Sequence, residues 1–349
     1  MSYADALAFL DDHSNYDVSG RIASPTLIEV LTGVRPSYFE AVTLAAFRWF
    51  ADVAVDVAVI EVGLLGRWDA TNVVESQVAV LTNIGIDHTE YAGPTKAHIA
   101  TEKAGIVKAG SAVVIGETEP DLARIWLEAG GSSNVIRGEH FDVVENQLAL
   151  GGRMVGLRTP TTVYPDVFVP LHGRHQGDNA AVALTAVEEF FGGPLSGDVV
   201  ADGFAQVAMP GRFEVLGRQP LVIVDGAHNP AGADTCASVF FDDFDPAGRR
   251  VMVVGCLQGR DPAEMLSALR ADEFDVVYTC TAPSARGLAA SELTAAARAL
   301  GCDDVRQVAT VEAAIDASLD GAAAEDAILV TGSLYIVGAA RPHLRQVLR

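Results

Sequence analysis

DVAVIEVGLLGRWDATN, residues 56–72, runs an apolar, β-branched stretch directly into a glutamate, two closely spaced glycines and a basic, acidic and polar cluster. A short apolar run closed by a polar, glycine-containing turn is the pattern of a strand buried on both faces of a parallel sheet. Glu61 is the first residue beyond that run, on the side where open parallel sheets bind their ligands. Outward from this point the same pattern returns. Strands are expected at 57–60, 78–82 and 113–115, with helices at 38–50, 95–107 and 179–191. Between 135 and 170 the text changes to FDVVENQLALGGRMVGLRT, where glycine turns separate short strands, so hairpins are expected to extend the sheet.

The second half restarts the alternation in LVIVDGAHNP, VMVVGCLQGRDP, DVVYTCTAP and AILVTGSLY. Each apolar run ends in a glycine or polar turn, and the intervening segments read as helices, which gives an α/β class and a smaller doubly wound domain from about Phe213 to Arg349. The join near MPGRFE is expected to be a short hinge, so the chain divides into 1–212 and 213–349. A length of 349 residues, half of them hydrophobic, suits two domains.

A net charge of −22 repels nucleic acid backbones and anionic membranes, so no partner of either kind is expected. The four cysteines, Cys236, Cys256, Cys280 and Cys302, stand about twenty residues apart. That spacing has none of the pairing of a zinc site or redox dithiol, and buried reduced thiols are expected. The opening MSYADALAFLDDHSNYD is acidic and amphipathic, and no apolar run reaches membrane-spanning length. A cytoplasmic monomer is expected.

Four polar residues occupy the expected strand ends or the helix behind them. Glu61 follows the first strand, TNIGIDHTE places Asp87 and His88 after the second, and Lys103 lies in TEKAGIVKAG on the next helix. A carboxylate and an imidazole there could share a hard cation such as Mg²⁺, completed by water and phosphate oxygens. Each could equally be a hydrogen-bonded polar group at a sheet rim, and Lys103 an ordinary surface ion pair. Composition and spacing leave both readings open.

The order of the segments is more specific. EVGLLGRWDATN, TNIGIDHTEYAG and EKAGIVKAG are followed by LHGRHQGDNAAVA (171–183), MPGRFEV (209–215), VDGAHNPAGA (224–233) and TGSLYIVG (331–338). This series resembles the Mur ligase superfamily, and within it the bifunctional dihydrofolate synthase and folylpolyglutamate synthase family. The resemblance implies a central ATPase domain, a parallel sheet with helices, followed by a Rossmann-like C-terminal domain. It implies an ATP-dependent ligase that joins a folate or pteroate carboxyl to the amine of L-glutamate through an acyl phosphate, with ATP and Mg²⁺ as cofactors. By the same resemblance Glu61 and His88 are magnesium ligands, and Lys103 matches a lysine that the family carbamylates. Asn179 lies on the adenine side, Arg212 reaches ATP, and Asp225 and His228 bring the second domain onto nucleotide and glutamate. His172, His175 and Gln176 are weaker candidates. Ser333 could touch glutamate or cap the last helix.

One departure limits the resemblance. The family carries a glycine-rich phosphate loop of the form GTNGKGS, whose amides surround the phosphates while its lysine neutralises them. The only lysines here, Lys96, Lys103 and Lys108, stand in TKA, EKA and VKA, so none belongs to such a loop. LAFLDDHSNYD and SGRIASPTL resemble the segment before the phosphate strand, and GVRPSYFEAVTLAAFRWF resembles the helix before EVG. Several tens of residues of the family pattern are therefore missing within SPTLIEVLTG. Two expectations follow: a folate-type ligase by descent, impaired or inactive without its phosphate loop, and a non-catalytic binding or interaction protein built on the same scaffold. A dinucleotide-dependent dehydrogenase is a distant third, since no GxGxxG follows any strand.

Overall fold

Ser37 opens the first helix through a reciprocal cap. The Glu40 amide donates to Ser37 Oγ (3.3 Å) and the Ser37 amide to Glu40 Oε2 (2.6 Å). The helix, α1 (Tyr38–Val53), ends where Ala54 turns left-handed at φ 52°. These elements belong to a computed structural model that describes residues 36–86 and 89–348. Between Val135 and Ile136 the chain divides into two compact units.

In the first unit a three-stranded sheet has the order β1 (Val78–Leu81), β2 (Ala112–Ile115), β3 (Ser133–Ile136). β1 and β2 are parallel, with Val78 opposite Ala112 and Leu81 opposite Ile115. Helix α2 (Lys96–Lys103) starts at the Thr95 cap and continues into a 3₁₀ turn over Ala104–Ile106. Helix α3 (Pro120–Leu127) places proline in its first turn, where a missing N–H costs nothing. Trp126 on α3 is fully buried and donates Nε1 to the Ala100 carbonyl at 2.9 Å, which pins α2 in place.

The strand expected at 57–60 does not form. Those residues pair with no other strand among the described residues, and Val59 is 92 % and Val57 47 % exposed. The physical reason is the lack of a neighbour among the described residues: β1 lies at the edge of their sheet, and an apolar run becomes a strand only when its amides and carbonyls find partners.

The second unit contains two sheets. β4 (Asp142–Ala149), β5 (Gly152–Arg158) and β6 (Val163–Val169) form the expected antiparallel hairpins, but as a separate sheet rather than an extension of the first. Gly151, at φ 83°, makes the tight turn between β4 and β5. Helices α4 (His175–Phe191) and α5 (Gly197–Ala205) accompany this sheet, α4 beginning four residues before the expected start.

The other sheet has six strands in the order β11-β10-β9-β12-β8-β7. Its strands are β7 (Glu214–Arg218), β8 (Leu221–Val224), β9 (Arg250–Val254), β10 (Val276–Thr279), β11 (Val305–Gln307) and β12 (Ala327–Thr331). All neighbours are parallel except β7, which runs antiparallel to β8 at one edge. Alternate side chains enter opposite cores. Ile223, Met252, Val254, Val277 and Leu329 pack with α6 (Pro230–Ser238), α7 (Pro262–Ala268) and α8 (Ala290–Leu300). Val222, Val224, Val253, Val276 and Val330 pack with α9 (Val311–Leu319) and α10 (Leu334–Val347). This is the doubly wound layer expected from the second half of the sequence. Its polar strand ends, after β8 in particular, stand where helix N-termini converge.

Candidate functional site

In the first unit Glu61 stands exposed on the unpaired stretch, with no hydrogen bond or ion pair among the described residues. The loop that follows it is tightly fastened. Asp69 accepts the amides of Leu64 (2.8 Å) and Thr71 (2.9 Å) and the Thr71 hydroxyl (2.6 Å). Burial works to raise the Asp69 pKa, but these hydrogen bonds outweigh it and hold the carboxyl below its usual range.

Two glycines allow the loop to lie on the end of α2. A Cβ on Gly66 would meet the Glu102 and Lys103 carbonyl oxygens at 3.0 and 3.1 Å, and one on Gly105 would meet Arg67 Cα at 2.5 Å. The Arg67 amide donates to the Glu102 carbonyl (3.0 Å), and Asn72 Nδ2 bridges the carbonyls of Arg67 and Gly105 at 3.0 Å each. The Glu61 loop and the half-buried Lys103 are thus brought together by backbone contacts. Asp87 and His88 lie outside the described residues.

Sequence reasoning missed Glu117, just beyond β2. Its buried carboxylate accepts the amides of Ile84 (2.9 Å), Thr118 and Glu119 (2.8 Å each), which holds the start of the TNIGID segment. A carboxylate following a strand was the signal that singled out Glu61, and it applies equally to GETEP.

In the second unit the MPGRF and VDGAHNP segments are joined by their backbones. The Gly226 amide donates to the Gly211 carbonyl (2.8 Å), and the Phe213 amide to Asp225 Oδ2 (2.8 Å). Asp225 Oδ1 accepts from the Ala227 amide (2.8 Å), closing the turn beyond β8. Gly211 sits at φ 73° with Val337 2.6 Å from where a Cβ would be, so no larger residue fits. Arg212 and Asp225 thereby line one cleft of about 210 Å³ with His175, Gln176, Thr235 and Cys236.

Arg212 is exposed, and its guanidinium has no partner among the described residues. His228 Nδ1 lies 2.9 Å from the Gly226 carbonyl, which assigns the proton to Nδ1 and leaves Nε2 available. Burial lowers the pKa of His175 against the pull of Asp225, Asp178 and Asp243, so it stands neutral at pH 7.

Asn179 lies exposed on α4, donating to Gln176 Oε1 at 3.1 Å, and is not among the cleft residues. Ser333 is buried and accepts the Ile336 amide at 3.2 Å as the cap of α10. The four cysteines are free and buried, as expected. Burial pushes the Cys256 and Cys280 thiols up to about 12, and burial together with the neighbouring Asp225 raises Cys236 well above the ordinary thiol range.

This arrangement has known counterparts. Residues 35–187 match the Mur ligase middle domain, and residues 211–334 match the Mur ligase glutamate ligase domain. The dihydrofolate synthase/folylpolyglutamate synthase of Mycobacterium tuberculosis is 41% identical over 336 residues, covering 88% of this chain and 69% of that protein. The chain belongs to the dihydrofolate synthase/folylpolyglutamate synthase family of Mur ligases.

A probable bifunctional folylpolyglutamate synthase/dihydropteroate synthase of Haloferax volcanii is 35% identical, and this chain spans 38% of its length. The structure of Mycobacterium tuberculosis folylpolyglutamate synthase complexed with ADP superposes with a TM-score of 0.87 at 38% identity, covering 99% of this chain and 79% of that one. A bifunctional folylpolyglutamate synthase/dihydrofolate synthase with Mn, AMPPNP and L-glutamate bound gives 0.77 at 30% identity, covering 90% and 73%.

Among the described residues no three His, Cys, Asp or Glu side chains converge as a ready-made cation site. No described helix is long and apolar enough to cross a membrane.

Proposed function

We propose that this chain carries the nucleotide- and glutamate-closing half of a folylpolyglutamate or dihydrofolate synthase site, without the phosphate loop that turnover requires. The reaction class is ATP-dependent amide formation between a folate or pteroate carboxyl and the amine of L-glutamate. The observation that carries the reading is the hydrogen-bonded pair of turns, Gly211–Phe213 with Asp225–Ala227, that sets Arg212 and Asp225 at one cleft.

In this reading the free guanidinium of Arg212 engages a phosphate, for which its planar fork is suited. Asp225 has both oxygens committed to backbone amides, and its remaining lone pairs accept from a ribose hydroxyl or an ammonium group. His228 offers Nε2 on the same turn, Asn179 lies on the adenine side, and Ser333 acts through its cap on α10. Glu61 and His88 are assigned to a divalent cation, and Lys103 to the carbamylated position.

The donor set fits that cation only in part. Among the described residues Glu61 offers an open carboxylate, which by itself is too few ligands for Mg²⁺, so phosphate oxygens and water would supply the others. The boundary proposed for the two functional domains is 212/213, at the strained Phe213 (φ 44°).

Binding and turnover therefore separate. Ligand-observed NMR with ADP, and separately with L-glutamate, should show both reaching the full chain. Arg212→Ala should weaken ADP by roughly tenfold to a hundredfold, the range of a lost charge-assisted hydrogen bond of about 1.5–3 kcal/mol. Glu61→Ala should leave ADP binding unchanged in the absence of metal. ADP affinity equal in wild type and Arg212→Ala would remove the cleft from the account.

A further inference from the structure

Beside the cleft, the hairpin sheet meets the six-stranded layer at a compact cluster. Arg153 on β5, with only 6% of its side chain exposed, pairs with Asp243 Oδ2 at 3.1 Å and is held from behind by Asn146 Oδ1 (2.8 Å) and the Asn146 carbonyl (3.2 Å). Asp243 belongs to a π-helical turn, Val239–Phe244, that follows α6. The His172 ring stands edge-on to Phe244 (centroids 4.9 Å apart) and Phe213 (6.1 Å), and those two phenyl rings are 5.3 Å from each other. His172 Nδ1 is buried and has no hydrogen-bond partner among the described residues.

We propose that the Arg153–Asp243 pair and the His172–Phe213–Phe244 rings form a latch over the cleft, closed while His172 is neutral and released when its imidazole takes up a proton.

Three observations connect the latch to the cleft. Val239, the first residue of the π-helical turn, and Phe213, a member of the ring cluster, both line it. A Cβ on Gly173, beside His172, would meet His175 Cε1 at 2.5 Å and Val239 Cγ2 at 2.8 Å, so the start of α4 and the turn are packed without slack. The non-glycine residues Phe213 and Asp245 have φ 44° and 39°, which puts left-handed strain at two edges of the ring cluster; strained backbone is a recurrent feature of elements with two arrangements.

The charged groups facing His172 are Asp243 on the turn, Arg153 on β5 and Arg218 on β7. Burial dominates over these and depresses the His172 pKa below its ordinary 6.5. The released state, with its imidazole in water, binds the proton more readily. The closed state is therefore fully favoured above about pH 6.5 and loses ground as pH falls through that value, by at most about tenfold per pH unit for one linked proton.

The latch rests on the cleft reading only for its consequence, access of ligand. The test reads the movement itself in the full chain with no ligand added, so either reading can fail alone. Cys236 lines the cleft and is buried, while Cys256 and Cys280 are buried in the cores of the six-stranded layer and report global unfolding. Thiol modification is followed at each cysteine by peptide mass spectrometry, and wild-type rates are divided by those of His172→Phe at each pH to cancel the reagent's own pH dependence.

The ratio at Cys236 should rise up to about tenfold between pH 6.5 and 5.5 with Cys256 and Cys280 unchanged. Asp243→Asn should label Cys236 faster than wild type already at pH 7.5. A ratio flat with pH, or an Asp243→Asn chain labelled no faster, overturns the latch. Should His172→Phe not fold, NMR titration of the wild type decides. His172 titrating together with the Phe213 and Phe244 ring resonances supports the latch, and titration without ring shifts overturns it.

Discussion

Incubated with ATP, Mg²⁺, L-glutamate and either dihydropteroate or reduced folate, the chain should release no ADP above background. Amide formation through an acyl phosphate depends on donors fixed around the transferred phosphoryl group, and deleting a single preorganised donor costs about 10²–10³ in rate. Here the entire glycine-lysine loop is missing from the sequence, so several such factors are lost together. Arg212 is a single exposed cation at a cleft of about 210 Å³ and cannot replace a ring of backbone amides. ADP release that requires all the substrates and disappears on Glu61→Ala would show that another element supplies the phosphate contacts.

Mild proteolysis should cut within residues 1–135 first and leave a resistant fragment containing residues 213–349. The six-stranded layer has both faces covered, with Ile223, Met252, Val253, Leu329 and Val330 completely buried. Among its described residues the first unit leaves Val59 and about half of Val57 in solvent, and β1 has a strand on one side only. A fully exposed side chain of this kind forgoes about 1.5–3 kcal/mol of burial and a half-exposed one about half of that, a large loss against the few kcal/mol that keep a small domain folded. Mass spectrometry of the survivor also locates the boundary: a start near Ile136 follows the compact unit, and a start near Arg212 follows the proposed hinge. A stable core from residues 1–200 with the C-terminal half degraded would contradict this ranking.

Most of the second half of the fold was legible because its strands are buried on both faces and read as continuous apolar runs. LVIV, VMVV, DVVYT and AILVT all fall on observed strands. β7 and β11 were not read, since EVLGR and VRQ carry charged residues at sheet edges and give no apolar run. The strand expected at 57–60 shows the opposite failure: its composition suits a buried strand, but strand formation needs a partner that a local pattern cannot supply.

For the site, motif order brought Arg212 and Asp225 into view as separate candidates. Their meeting at one cleft depends on the Gly226–Gly211 and Phe213–Asp225 hydrogen bonds, which no spacing rule reveals. Glu117 and the Arg153–Asp243 pair stayed hidden for the same reason: each works through contacts between segments distant in sequence.

Whether the phosphate loop is all that the site lacks is decided by a chimera in which a strand, glycine-rich loop and helix of the family type are inserted between Ser24 and Val34. If the remaining site is intact and lacks only its phosphate loop, the folded chimera joins glutamate to a pteroate or folate carboxyl with release of ADP. In it, Glu61→Ala, His88→Ala and Asp225→Ala each lower turnover by about tenfold or more. A chimera that folds, binds ATP and still forms no amide would place the defect in Glu61, His88, Asp225 or their neighbours, and the missing loop would not be what silences the chain.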